Sequence, residues 1–570
     1  MNRHASALGF VLLSIAIAAC SRSPEPAAPS APAPVDPVAA AAAAISASAL
    51  ERNIRELSSD AFGGRKPDTP GEQLTIELLE REFRGLGLQP ASGGSFVQEV
   101  PLVELEAGPE VRLGFSAGGS ARPTDLPYRE RQVIYSRRMD TAISVKDAGV
   151  VFVGYGVNAP ERGWNDYAGV DVRGKVVLML INDPGFHAND PALFNGRAMT
   201  YYGRWDYKFD EAARQGAIGA LIIHDNEGAT YPWRTVQNSW TGPTFHLPRE
   251  DRGAALSAFQ GWVANEAARE MLAAAGAGLD DLMREAGTSG FRARTLPLRL
   301  SAGFANRVHE IRSRNVAAVL PGRERPDEAF IYMAHWDHIG SRSDTPPGED
   351  GIFNGALDNA SGTAGLIELA RAFRALPEAP RRSVLFLAVT AEEQGLLGSA
   401  WYAANPLIPL AHTVGGLNMD GLNNFGPTRD VTVVGLGNST LDAYLERALT
   451  PGRRLEPHPY PERGSFFRSD HFELAKAGVP MLFAGRGVDH VEHGAEWGRA
   501  QDARYVAERY HGPEDEWTDD WRLDGAVEDL QLFFRTGLAV ADSADWPEWA
   551  ADSEFRALRE AQRGAATPGG

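Results

Sequence analysis

At 570 residues the chain is too long for one hydrophobic core and is expected to divide into two or three domains. Hydrophobic residues make up 43% of it, enough for large cores, and acidic residues outnumber basic ones by 75 to 56, a net charge of −19. That balance excludes a nucleic-acid binder, which needs a basic surface.

The first nineteen residues read as an export signal, with Arg3 ahead of an apolar run from Leu8 to Ala19 that is too short to span a bilayer stably. Cys20 is the one cysteine, so the chain holds no internal disulfide. The tetrapeptide Ile17-Ala18-Ala19-Cys20 resembles a bacterial lipobox. The resemblance implies a lipid on Cys20 that ties the protein to a membrane of the cell envelope, with Ser21 favouring the outer membrane. Residues 20–48 are mostly Pro, Ala and Ser and are expected to form an extended tether, because they offer nothing to bury. Alternatively, Ala39 to Leu50 opens a helix, alanine being the best helix former.

A soluble domain begins at Ala49. Thr75 to Phe83 has amphipathic helical spacing ended by Gly85-Leu86-Gly87, and it follows the turn-rich Gly63-Gly64-Arg65. Residues 131–304 read as a separate, mainly-β module with strands over 149–157, 174–180 and 217–223 and a short helix at 210–215. Its cluster of Tyr201, Tyr202, Arg204, Trp205, Tyr207 and Lys208 is expected to pack an interdomain seam, the alternative being that it faces a substrate. The first domain resumes near Ser313 and runs to about Asp545, leaving residues 546–570 as a peripheral tail.

The chemistry concentrates between Phe330 and Asp420. Apolar runs at 330–334, 383–389 and 414–418 alternate with helical patterns, which implies an α/β fold with a mostly parallel sheet and helices on both faces. Such sheets place their chemistry at the carboxyl ends of the strands. The first run leads into His335-Trp336-Asp337-His338, the second into Glu392-Glu393 and the third into Met419-Asp420; Asp358 sits in a turn of small residues between the first two. Imidazole and carboxylate ligands without cysteine suit zinc or a similar divalent ion. Asp337 is placed to orient the imidazole of His335. Two adjacent carboxylates repel unless a cation lies between them or one holds a proton, so one of Glu392 and Glu393 can bind metal while the other moves protons. His338 and His309 read as surface or core histidines.

The combination of His335-x-Asp337, Asp358-Asn359-x-Ser361-Gly362, Ala391-Glu392-Glu393-x-Gly395 and Asp420 resembles the co-catalytic zinc peptidase family that contains leucyl-type aminopeptidases and glutamate carboxypeptidase. The similarity extends from Ala49 to Asp545, with residues 49–130 and 305–545 as the catalytic domain and 131–304 resembling the protease-associated domain inserted in many members. It implies two Zn2+ per chain: one held by His335, Asp358 and Asp420, the other by Asp358, Glu393 and a late histidine. Glu392 is then the general base, and Asp337 the aspartate behind His335. His511, with Asp515 four residues on, fits the late histidine better than His471, His490 or His493. Tyr510 matches a tyrosine that hydrogen-bonds the tetrahedral oxyanion in some members.

By this resemblance the protein is a secreted exopeptidase acting on peptides, an aminopeptidase first of all, in which a metal-activated water gives its proton to Glu392. The alternative is a glutamate-type carboxypeptidase, whose basic pocket Arg204, Arg463, Arg468 and Arg486 are available to supply. A cyclase of N-terminal glutamine, which uses one zinc, and a receptor-like member with a decayed site both conflict with the full ligand set. The N-terminal reading has its own test. Cys20→Ser should release the protein from membranes or block its processing while leaving the soluble domain active; a mature N-terminus elsewhere, without lipid, contradicts it.

Overall fold

In the computed structural model, which describes residues 36–117, 123–342 and 345–566, one strand belongs to both main sheets. Strand β1, Arg294–Leu320, is 27 residues long. Its first part pairs antiparallel with Arg112–Ala117 and Ala142–Phe152. From Asn306 it pairs with Val97–Ala107, and from Val316 with Arg382–Val389. Burial alternates along most of its length and becomes continuous over Val316–Ala318. That is the change from a sheet wet on one face to one covered on both.

The covered sheet holds the core of the first unit. Strands β2 (Arg325–His335), β3 (Arg382–Val389), β4 (Thr413–Asn418) and β5 (Met481–Arg486) run parallel in the order β3-β2-β4-β5. Successive side chains point to opposite faces. Phe330, Tyr332 and Phe386 therefore pack with Leu366, Leu530 and Phe534. Ile331, Met333 and Leu385 pack on the other side with Tyr402, Leu474 and Val479. Helices thus cover both faces, as the apolar runs imply, and the mixed α/β architecture with a mostly parallel central sheet follows from that burial.

In the second unit Ala142–Phe152, Val176–Leu180, Gly219–Ile223 and Phe259–Val263 run parallel, with Gln132–Tyr135 antiparallel at the edge. Helices Trp205–Arg214 and Asn265–Ala274 contribute Phe209 and Met271 to its two cores. Leu113 and Phe115 also belong to this unit's core, so it starts before residue 131, on the pairing of Arg112–Ala117 with β1.

Two end segments depart from the sequence reading. Pro37–Ala42 is helical, and Ala41 and Ala42 join the main core; small side chains let this helix lie close against it, where a tether to residue 48 was expected. The tail beyond Asp545 is packed rather than peripheral. Trp549 is 2% exposed and donates its indole N–H to the Gly478 carbonyl at 2.9 Å, while Arg559 donates to the carbonyls of Leu410 and Thr413. Cys20 and the stretch expected to be an export signal lie outside the described residues. Among those described, no helix is long and apolar enough to cross a membrane. Truncating the buried indole should be costly. Trp549→Ala is expected to lose about 3–5 kcal/mol in equilibrium urea unfolding, and an unchanged midpoint would return the tail to the periphery.

Candidate metal centre

The ends of the parallel strands meet over one patch. His335 ends β2, Glu392 and Glu393 lie just past β3, and Asp420 lies just past β4. Asp358 sits in the turn before helix α1, Gly362–Arg374, and His511 precedes helix α2, Asp524–Asp542. Asp358 is central. Its Oδ1 lies 3.4 Å from His335 Nε2 and its Oδ2 lies 3.4 Å from His511 Nε2. Asp420 Oδ1 is 3.3 Å from His335 Nε2, and Glu393 Oε2 is 3.0 Å from His511 Nε2. Two donor sets therefore share one carboxylate. Donor atoms of His335, Asp358 and Asp420 also converge within 4.8 Å of one another.

The electrostatics separate the adjacent glutamates. Burial pushes the Glu392 carboxyl well above the ordinary carboxylate range, and Asp420, Asp470 and Glu393 add to this against the opposing His335. Burial and Asp358 act the same way on Glu393, but His511 and His338 overcome them and hold it down at about 2. Burial would lower the imidazole of His511, yet Glu393 and Asp358 raise it to about 10. Burial likewise opposes the charged form of Asp358, and His335 and His511 reverse that to hold it well below the usual range. The two neighbours are thus pushed in opposite directions, Glu393 towards the anion and Glu392 towards a higher affinity for a proton, the kind of separation on which acid–base sites rest. Four carboxylates facing imidazoles in a largely buried pocket fit divalent cations of the zinc type.

Several residues act behind this set. Asp337 Oδ1 accepts the backbone N–H of Glu392 at 3.0 Å. Its carboxylate stands 3.9 Å from His335 Nδ1, whereas its own carbonyl is nearer, at 3.2 Å. Asp337 therefore steadies both His335 and Glu392, and the imidazole contact runs through the main chain rather than the expected carboxylate. Asp515 accepts the N–H groups of Leu357 and Asp358 at 3.1 and 3.0 Å. The buried guanidinium of Arg65 donates to the carbonyls of Trp336, Asn354 and Gly355, tying the end of β2 to the Asp358 turn. Gly64 before it has φ +72°, and a Cβ there would lie 2.4 Å from the Gly340 carbonyl oxygen. The Gly-Gly-Arg signal was visible in the sequence, but the strap it forms was not.

His338 departs from the sequence reading more sharply. It is buried, and its Nδ1 lies 2.6 Å from Glu393 Oε1, so it belongs to the site; its position three residues after His335 was the available signal. Tyr510 packs its ring on His511 with centroids 3.9 Å apart, and its hydroxyl oxygen accepts from Arg468 at 3.0 Å. His471 instead packs against Phe466 and Phe483, and His490 stacks on His493. Asp68, Glu104 and His309 also converge, but at a partly exposed surface of the kind that is common without an ion.

A cavity of about 290 Å³ opens onto the centre, lined by Asp358, Glu392 and Asp420 from the first unit and by Trp205, Tyr231 and Ser239 from the second. Arg204, Arg463, Arg468 and Arg486 all line it. Arg463 and Arg486 share Asp502, at 2.6 and 2.8 Å. Tyr201, by contrast, sets its ring at a tilt against Phe467 and Phe472 and packs the seam between the units.

Residues 315–534 match the family model for Peptidase family M28, a stretch that contains the four parallel strands and the residues Asp358, Glu392, Glu393, Asp420 and His511. A "Probable zinc metalloprotease" of Pyricularia oryzae is 36% identical over 119 residues, 21% of this chain and 23% of that protein. The mouse protein "Aminopeptidase NAALADL1" is 28% identical over 270 residues, 39% of this chain and 34% of that one. The chain thus spans about a quarter to a third of the length of these curated relatives. Among solved structures, the aminopeptidase from Aneurinibacillus sp. strain AM-1 superposes with a TM-score of 0.53 at 19% identity, covering 88% of this chain and 96% of that one; the likeness is one of fold.

The sharing of Asp358 makes a distinct demand on metal content. Asp358→Asn should weaken metal binding at both donor sets, and His511→Ala mainly at the one with Glu393, as read by elemental analysis after equilibration at limiting zinc. A full complement in His511→Ala, with loss in His471→Ala, would reassign the late ligand.

Proposed function

We propose that the protein is a dizinc exopeptidase, an aminopeptidase removing N-terminal residues from peptides. The observation that carries this reading is Asp358 between two imidazoles, one carboxylate oxygen towards His335 and the other towards His511. That arrangement suits two ions a bridging carboxylate apart. The relatives named as zinc metalloprotease and aminopeptidase support it.

Zinc held by His335, Asp358, Asp420, Glu393 and His511 would supply a Lewis acid for a scissile carbonyl and lower the pKa of a water. Glu392 takes a proton on its carboxylate and returns it to the leaving amine. Asp337 holds the Glu392 main chain in place for this transfer. The Tyr510 hydroxyl, fixed by Arg468, is available to donate to the oxyanion. The second unit, read as a protease-associated type insertion, lines part of the cavity with Trp205, Tyr231 and Ser239. A lipid on Cys20 that holds the enzyme at a bacterial envelope belongs to the same proposal and rests on residues 17–20 alone.

One observation favours a second reading, a glutamate-type carboxypeptidase. Arg204 and Arg468 line the cavity, and the near carboxylate oxygen for Arg204 is 3.7 Å away, on Asp206. A substrate carboxylate would suit them.

Hydrolysis of amino-acid amides, N-blocked dipeptides and peptides with acidic C-termini by the zinc-loaded protein separates the two. Cleavage restricted to free-amine substrates is expected; preference for N-blocked peptides ending in an acidic residue would select the carboxypeptidase. Glu392→Gln should lower turnover by about 10²–10⁴-fold with both metals retained, and metal loss there but not in Glu393→Gln would reverse the two roles.

A further inference from the structure

The two imidazoles of the centre are supported differently. An imidazole that binds metal through Nε2 carries its proton on Nδ1, and the acceptor of that proton sets both tautomer and ring plane. His335 finds its acceptor two residues away, in the Asp337 carbonyl at 3.2 Å, so this half of the centre is built within the first unit. His511 does not. Its Nδ1 lies 2.7 Å from the hydroxyl oxygen of Ser239, which belongs to the second unit.

Ser239 lies near the end of helix Trp233–Trp240, and the residue before it reaches the same histidine. The side-chain amide of Asn238 donates to the His511 carbonyl at 2.6 Å. His511 has φ +53°, a left-handed conformation that a residue with a Cβ seldom adopts without outside support. Helix and first unit are also joined near its start, where Arg234 donates to the Ala507 carbonyl at 3.1 Å, and beside Asn238, where Arg342 donates to the Gln237 carbonyl at 3.1 Å. Ring and main chain of His511 are thus both held by one helical turn of a different unit.

We propose that Ser239 is a positioning residue for His511, accepting its Nδ1 proton so that Nε2 faces Asp358 and Glu393, and that docking of the second unit thereby completes one of the two metal sites. The proposal rests on the dizinc reading. It makes the second unit a structural part of the centre, and it makes the two ions unequal: the one at His335 and Asp420 is independent of docking, whereas the one at Glu393 and His511 depends on it.

The test is a competitive zinc titration of the full chain, stripped of metal, for wild type, Ser239→Ala and Ser239→Thr, with thermal melting of each metal-free protein alongside. Loss of such an outer partner typically weakens metal binding about 10–100-fold. Ser239→Ala should show that weakening for one of two zinc equivalents, leave the other unchanged and melt like wild type; Ser239→Thr, which keeps the hydroxyl, should restore the lost affinity. Two equivalents of wild-type affinity in Ser239→Ala would overturn the proposal, as would equal weakening of both with a lowered melting temperature, which marks a purely structural role. A wild-type protein that binds no zinc would instead overturn the dizinc reading and this inference with it.

Discussion

Like charges dominate the middle of this molecule. Asp358, Glu392, Glu393 and Asp420 come together at the ends of parallel strands, all four lining one cavity. At an effective dielectric of about 20, two unit charges about 4 Å apart interact by roughly 4 kcal/mol, a large fraction of a domain's stability. The cluster is tolerable only if cations enter it or protons stay on it. Both outcomes are written into the geometry. Asp358 and Glu393 face imidazoles that favour their ionised forms, and Glu392, buried and flanked by Asp420 and Asp470, is the carboxyl of the group with a raised affinity for a proton. The rest of the structure serves to hold these groups where they would not otherwise stay.

That holding is done mostly by backbone contacts. Arg65 collects carbonyls from the end of β2 and from the Asp358 turn, and Asp515 collects amides from the start of that turn. Each is a buried charge satisfied by main-chain dipoles, which suits a site that has to remain charged while ligands come and go. The long strand β1 then joins the covered sheet to the second unit, so that the helix bearing Asn238 and Ser239 reaches the face where the carboxylates gather.

Much of this was legible from the chain. The apolar runs before His335, Glu392 and Asp420 had the length and composition of buried parallel strands, and their carboxyl ends are where such a sheet collects its chemistry. The packing of Tyr201 on Phe467 and Phe472 matches the expected seam. Other features were hidden for identifiable reasons. His338 looked like an ordinary histidine because its partner, Glu393, lies 55 residues on, just past β3. Pro37–Ala42 looked like linker because alanine carries no polar signature of burial, yet it docks on the core. Trp549 sat in a charged tail whose acceptor, Gly478, is remote in sequence. Long-range pairings of this sort leave no local pattern, and Ser239 is the extreme case: nothing near it in sequence points to a histidine in another unit.

The central claim is that one carboxylate joins two cation sites. Anomalous X-ray diffraction at the zinc absorption edge, on crystals of the zinc-loaded protein, tests it most directly. Two peaks are expected, one beside His335 and Asp420 and one beside Glu393 and His511, with Asp358 between them. A single peak, or one only at the surface group of Asp68, Glu104 and His309, would contradict it.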